Sequence, residues 1–240
     1  MKALSVVVPC YNEAKTLPEL VDRVAQALEN SSIGTGEFEL VLVENGSTDD
    51  SATVIGELVR RPALGFMRVV SVPLNQGYGH GMLMGLRAAE GRVVATFHAD
   101  LQCDPRDVFK AYDLYQSAPE RPLLVKGVRH GRPLISVAIT RGMELAALLI
   151  LQTSLHEINA QPNLFDRRLV AALVDPPLDF RFDLDIMLNA KETGCAIRSI
   201  DVLFPARKHG QSNWAYSFRS RVRTILGFLR YMAAYRLRGA

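Results

Sequence analysis

Cysteine is scarce. Cys10, Cys103 and Cys195 are the only three in 240 residues, and they lie far apart. This spacing excludes a disulfide scaffold and a cysteine-built zinc site, and it suits a reducing compartment. Tryptophan occurs once, at Trp214. Long uncharged apolar runs are missing as well. The longest stretch without Asp, Glu, Lys or Arg is Val69 to Leu86, and it contains Pro73, Asn75, Gln76 and four glycines. It is not a spanning segment, and Leu145 to His156 is too short, so no transmembrane helix is expected. Met1–Lys2 leads directly into a strand-like stretch, without an apolar core or a small-residue cleavage site. No secretory leader is expected, and the setting reads as cytoplasmic. Acids are absent from Pro205 to Ala240, where Arg207, Lys208, Arg219, Arg221, Arg223, Arg230, Arg236 and Arg238 fall. The rest of the chain is net acidic although the whole carries +3. A basic tail on an acidic body anticipates an anionic partner.

The composition, 48% hydrophobic and 22% charged, is that of a soluble globular protein. Its length suits one large domain or one with an appendage. The first 130 residues alternate strand and helix patterns. Strands are predicted at Leu4–Val8, Phe38–Val43, Met67–Val72, Val93–Phe97 and Leu123–Gly127. Helices fall between them, the first with Leu17, Leu20, Val21, Val24 and Leu28 on one face. That order implies an α/β fold with a mostly parallel central sheet flanked by helices. Beyond it, Pro133–Leu155 reads as one apolar helix interrupted by Arg141 and Glu144, either a second interfacial helix or core, and Leu169–Val174 as a short one. Phe182–Thr193 is a further helix, Ala196–Phe204 a late strand and Trp214–Leu237 a C-terminal helical extension. The boundaries are set at 1–212 for the main domain and 213–240 for a basic amphipathic helix.

Ligands of parallel sheets gather at the carboxyl ends of the strands. There the first strand carries Pro9-Cys10-Tyr11-Asn12-Glu13, and the second Glu44-Asn45-Gly46-Ser47-Thr48-Asp49. Carboxylates and amides in adjacent loops can grip a nucleoside. Taken singly, each loop is equally well explained as a helix N-cap, with Asn12 or Asp49 as the cap. The run Asn75-Gln76-Gly77-Tyr78-Gly79-His80-Gly81 opens a helix but fails as a dinucleotide fingerprint. It follows the third strand, and Met82 stands where the last glycine belongs. Gly81 and Gly85 share a helical face and suit close packing, whereas Asn75 and Gly77 are candidates for ligand approach. The fourth strand delivers Asp100, with His98 and Gln102 two residues to either side. Alternation on an extended segment points all three the same way, a plausible divalent-metal site. Asp104 reads as the cap of the next helix.

In this order the loops resemble the family 2 glycosyltransferases of GT-A fold, in particular the polyprenyl-phosphate sugar synthases of the dolichol-phosphate mannose synthase type. Pro9–Glu13 resembles the P-x-Y-N-E opening, and Glu44–Asp49 the D-D-G-S-x-D turn with Glu44 and Asn45 in place of two aspartates. Asn75-x-Gly77 resembles N-x-G-x-G, and His98–Gln102 resembles D-A-D-L-Q. Lys126–Arg129 resembles the G-x-R segment, and Arg207–Ser212 the R-x-x-G-x-S loop.

The resemblance implies an inverting transfer from a GDP- or UDP-sugar to a polyprenyl-phosphate acceptor at the cytoplasmic membrane face. A saccharide or lipid hydroxyl is the alternative acceptor, and a catalytically impaired nucleotide-binding homologue the alternative protein. Pro9, Tyr11, Glu13, Glu44, Asn45, Asn75 and Gly77 would hold the donor. Asp100, Gln102 and His98 would face a divalent metal, Mg²⁺ or Mn²⁺, and the diphosphate. Arg129 and Arg207 would contact phosphates, and Ser212 would close the loop over them. Asp100, Arg207 and Asp185 would be the catalytic residues, because a hydroxyl acceptor needs a base and Asp183 or Asp185 could serve. The same pair also suits a helix N-terminal turn. His98 stands where the family has an aspartate, and imidazole suits ions softer than Mg²⁺. Asn213 replaces a frequent lysine, and Ile158–Phe165 differs from the usual D-x-x-x-G-F-R form.

The tail bears on the acceptor. Phe218, Val222, Ile225, Leu226, Leu229 and Met232 follow helical spacing, and Arg219, Arg223 and Arg230 lie off that stripe. Such a helix either lies on an anionic membrane surface or covers the core with a solvated basic face. The basic run contains no recognised nucleic-acid motif, so no nucleic-acid partner is expected. A membrane-protein partner or a homo-oligomer stays open.

Overall fold

The computed structural model describes residues 2–205 and 218–238. Seven strands form one sheet: β1 (Leu4–Cys10), β2 (Phe38–Asn45), β3 (Met67–Val72), β4 (Val93–Thr96), β5 (Leu123–His130), β6 (Asn163–Asp166) and β7 (Ala196–Leu203). Their spatial order is β3-β2-β1-β4-β6-β5-β7. β3, β2, β1 and β4 run parallel, as do β5 and β7, while β6 is antiparallel to β4 and β5. The α/β fold and mostly parallel sheet expected from the sequence are present.

The strand residues dictate the layers. β1 is apolar apart from Ser5 because both of its faces are covered. Val6 and Val8 point into one core with α1 (Leu17–Glu29) and α4 (Pro105–Ser117), and Val7 points into the other. All five residues of the predicted α1 stripe are buried. Asp104 caps α4 by accepting from the Arg106 N–H. In the second layer α3 (Tyr78–Ala88) lies close on β1 and β2, because Gly85 brings no side chain. A Cβ there would collide with Val7 and Val43.

Two features go beyond the sequence reading. β6 was not anticipated; it has four residues, follows Pro162 and splices the two halves of the sheet. The other is α5 (Leu134–Leu151), an unbroken apolar helix of 18 residues with mean hydropathy 1.9, of which only 17% is buried. By length and composition alone it is the one described helix long and apolar enough to cross a bilayer, a test that the core helix of a soluble protein also passes. A search for uncharged runs overlooks it because of Arg141 and Glu144. These two pair with each other at 2.7 Å, one turn apart.

The last helix, α7 (Phe218–Arg238), packs beside α5. Phe228 and Met232 are buried in the same core as Phe182 and Ile186 of α6 (Phe182–Glu192). Burial of each such side chain contributes roughly 1.5–3 kcal/mol. Arg219, Val222, Arg223, Leu226 and Arg230 lie together along the other side, mostly exposed.

Candidate functional site

Because β1, β2 and β4 are neighbouring parallel strands, their carboxyl ends open on one edge. The loops at Pro9–Glu13, Glu44–Asp49 and His98–Gln102 therefore converge there. The first two interlock. Asn12, in left-handed conformation at φ 58, accepts from the Thr48 N–H at 2.8 Å and the Asp49 N–H at 3.3 Å. The Glu44 carboxylate accepts from the N–H groups of Ser47 (2.6 Å) and Gly46 (3.3 Å). Glu13 accepts from the Thr16 hydroxyl at 2.7 Å. Pro9 and Tyr11 remain partly open to solvent.

Asn45 and Gly77 do not reach this surface as ligand groups would. Asn45 is 2% exposed, donates to the Gly77 carbonyl at 3.1 Å and lies under Gly81. Gly77 has φ 114, and a Cβ there would strike the Leu178 carbonyl. Its small size admits the 177–179 loop. The Asn75 side chain accepts from the Gly77 N–H at 2.8 Å and shapes the same turn.

Asp100 sits past the end of β4, 4% exposed, and accepts from the Gln102 N–H at 3.1 Å. His98 Nδ1 lies 3.9 Å from its carboxylate, and His98 Nε2 is buried without a hydrogen-bond partner. Gln102 donates to the Pro205 carbonyl at 2.9 Å. Among the described residues no group of three or more His, Cys, Asp or Glu forms a metal cage.

Asp100, His98 and Gln102 line one end of a cavity of about 420 Å³. Arg129 and Arg132 enter its wall. Ile139 and Met143 from α5 and Pro133 just before it, with Ile225 and Phe228 from α7, make an apolar flank. The arginines are held together by Glu157. It accepts from Arg129 Nε at 2.7 Å and pairs with Arg132 Nη2, and all three are nearly buried. Arg132 Nη1 donates to the Thr140 hydroxyl at 2.9 Å, whereas Arg132 Nε has no partner. Burial, then the neighbouring Arg129, lower the Arg132 pKa.

Asp183 lines the cavity floor. Its carboxylate accepts from Gln161 Nε2 (3.0 Å), the Tyr78 hydroxyl (3.3 Å), Asn159 (3.4 Å) and Asn163 (3.4 Å). Burial raises its pKa, against the pull of Lys126. Lys126 is itself enclosed, and burial lowers it to about 7. Its three N–H donors meet the carbonyls of Ile158 and Ala160 and the Asn163 side chain at 2.8–3.0 Å, which supports the ammonium form.

The structure thus brings Asp100, Gln102, His98 and Arg129 to one cavity. Asp185 does not join them. It points to α7, where it accepts from the Tyr231 hydroxyl, so of the two candidate bases only Asp183 faces the cavity. Arg207 and Ser212 lie outside the described residues. Sequence reasoning missed Arg132 and Glu157. The only local sign was a second arginine three residues after Arg129, while Glu157 is 25 residues from Arg132.

Comparison with known proteins places this chain in a family. The family described as Glycosyl transferase family 2 matches residues 5–143, more than half of the chain, and the protein belongs to it. The undecaprenyl-phosphate 4-deoxy-4-formamido-L-arabinose transferase of Pseudomonas savastanoi pv. phaseolicola is 40% identical over 110 residues, 45% of this chain and 31% of that protein. The Edwardsiella ictaluri enzyme of the same name is 42% identical over 107 residues, 44% of this chain and 31% of that protein. The matches thus span about a third of these relatives' length. Glucosyl-3-phosphoglycerate synthase from Mycobacterium tuberculosis, crystallised with phosphoglyceric acid, has TM-score 0.74 at 21% identity over 97% of this chain and 80% of that one. The same enzyme with Mn²⁺, UDP and glucosyl-3-phosphoglycerate gives 0.72 at 22% identity, over the same shares. These likenesses establish the shared GT-A fold.

Proposed function

We propose that this glycosyltransferase moves a sugar from a nucleoside diphosphate to a polyprenyl phosphate held at a membrane surface. The observation that carries the reading is the cavity itself. Its lining combines Asp100, the two arginines and apolar side chains of α5 and α7. A donor diphosphate, an anionic acceptor head and an isoprenoid chain would each find matching chemistry in that lining. The names of the curated relatives support the same acceptor class.

Pro9 and Tyr11 would face the nucleoside, and Glu13, Glu44 and Asn75 would shape its loops. Arg129 and Arg132 would seat the acceptor phosphate through charge-assisted hydrogen bonds. A phosphate oxygen is already ionised at neutral pH, so positioning matters more than a base. Arg207 and Ser212 would close over the donor phosphates. A divalent ion, Mg²⁺ or Mn²⁺, would be held by the hard carboxylate of Asp100, with the His98 imidazole, whose Nδ1 lies 3.9 Å from it, as the neighbouring donor. When bound, such an ion neutralises charge developing on the departing diphosphate.

The setting would be peripheral to the membrane. Leu134, Ile135, Leu145, Leu148 and Leu149 form an exposed apolar stripe on α5, between 49% and 87% exposed. The exposed arginines of α7 belong to the adjacent helix. Apolar insertion beside basic residues is the pattern of a helix lying in an anionic interface. Ala147 and Leu151 of α5 pack in the protein core, which supports an interfacial rather than a spanning placement.

The test is sugar transfer from a panel of GDP- and UDP-sugars to a short polyprenyl phosphate in detergent, with Mg²⁺ or Mn²⁺. Transfer to the phosphate and none to the matching alcohol is expected. Transfer to the alcohol, lost in Asp183→Asn, would favour a hydroxyl acceptor with Asp183 as base. The raised carboxyl of Asp183 in the cavity is the observation on its side.

A further inference from the structure

The two cavity arginines carry like charge and lie side by side. Nothing in their own chemistry keeps both turned inward. Glu157 stands between them, with one carboxylate oxygen on each guanidinium. It is 5% exposed, and its backbone is left-handed at φ 52, an uncommon state for a non-glycine residue. That state has a support: the Glu157 N–H donates to Glu144 Oε1 at 2.8 Å. Glu144 in turn accepts from Arg141 at 2.7 Å and faces His156 at 3.7 Å. Arg132 gains a further tie through Thr140 of the same helix. The inner side of α5 therefore holds the whole assembly, while Arg132 Nε, buried and unpaired, is left over as a donor.

We infer that Glu157 is a positioning residue that pre-orients Arg129 and Arg132 as a two-armed receptor for the acceptor phosphate. This rests on the phosphate-acceptor reading above. The carboxylate offsets one of the two positive charges, so both guanidinium groups tolerate burial before the substrate arrives. A net charge of +1 remains for the incoming anion. Glutamine cannot replace it: its amide offers an oxygen to one arginine and an N–H to the other, and that second contact sets donor against donor. One arginine then loses its partner, and the acceptor must organise the site as it binds.

The experiment measures equilibrium binding of a short isoprenyl phosphate and of the matching isoprenyl alcohol, without donor. The proteins compared are wild type, Glu157→Gln, Glu157→Asp and Glu157→Gly. The glycine variant relieves the left-handed backbone, so loss of the carboxylate is separated from loss of folding. Phosphate binding is expected to weaken about tenfold or more in the glutamine and glycine variants, the scale of a charge-assisted hydrogen bond. The aspartate variant should recover part of that loss. Alcohol binding, which reads the apolar flank, should stay within about twofold in all of them, as expected where the contacts do not change. Unchanged or tighter phosphate binding in the glutamine and glycine variants, with wild type binding normally, overturns the assignment alone. Equal losses for phosphate and alcohol also overturn it, since they signal general disruption. If the wild type fails to bind the phosphate, the acceptor reading falls and the assignment falls with it.

Discussion

Tyr231 of the C-terminal helix donates its hydroxyl to the Asp185 carboxylate of α6, which fixes α7 to the body of the protein. Burial raises the pKa of both groups; the shared bond raises Tyr231 further and opposes the rise at Asp185. Asp185 is thereby occupied away from the cavity. Asp185→Asn should leave kcat/KM for sugar transfer within about threefold of wild type. Tyr231→Phe should cost about 1–3 kcal/mol, seen as a lowered Tm. A transfer rate near zero in Asp185→Asn at normal Tm would restore this residue as a catalytic base.

Arg132→Ala should raise the acceptor KM at least tenfold and leave the donor KM close to wild type. Arg132→Lys should recover little, because an ammonium cannot reproduce the planar fork between Glu157 and Thr140. Steady-state kinetics with each substrate varied in turn separates the two constants. An unchanged acceptor KM would remove Arg132 from the phosphate site.

The apolar stripe of α5 makes a prediction in which folding and binding part company. Leu145 and Leu149 are 56% and 71% exposed. Replacing both with glutamate should change stability by less than about 1 kcal/mol. Co-sedimentation with vesicles containing phosphatidylglycerol should fall several-fold. Added salt should weaken wild-type binding through the α7 arginines. Equal sedimentation of variant and wild type would place the membrane contact elsewhere.

Acid stability should depend on Asp104. The Arg106 side chain, above all, holds the Asp104 carboxyl below its ordinary range, against a smaller effect of burial. A carboxyl with a depressed folded pKa stabilises the native state fully above its unfolded value, about 3.9. That contribution disappears as pH falls from there through the folded value. Asp104→Ala should also cost about 1 kcal/mol at neutral pH through the lost helix cap. Urea unfolding at pH 7 and at pH 3 should give a smaller gap between wild type and variant at the lower pH. A gap independent of pH would show that the ion pair adds nothing.

Where a single element determines the outcome, the sequence is legible. The α1 stripe from Leu17 to Leu28 needs only helical periodicity, and Gly85 needs only a helix pressed on a strand. The cavity end at His98, Asp100 and Gln102 follows from a strand that must stop there. Long-range relations are harder. Asp183 and Asp185 are both in the first turn of α6, and nothing local says which of them faces the cavity. Tyr78 and Tyr231, far away in the chain, distinguish their surroundings. Glu157 shows no periodic signal, and its importance depends on two arginines that arrive from β5 and the loop after it. β6 is too short to register a period of two over its four residues.

The Arg141–Glu144 pair conceals a greasy flank inside a sequence that looks ordinary by charge. If that flank rests in lipid, the proposed isoprenoid acceptor would reach the arginines by sliding in the plane of the leaflet, while the nucleotide would arrive from the aqueous side. Turnover would then follow how many acceptor molecules occupy each unit of bilayer area rather than how many occupy a litre. Diluting the acceptor with inert lipid should slow the enzyme even when total amounts in the tube stay fixed.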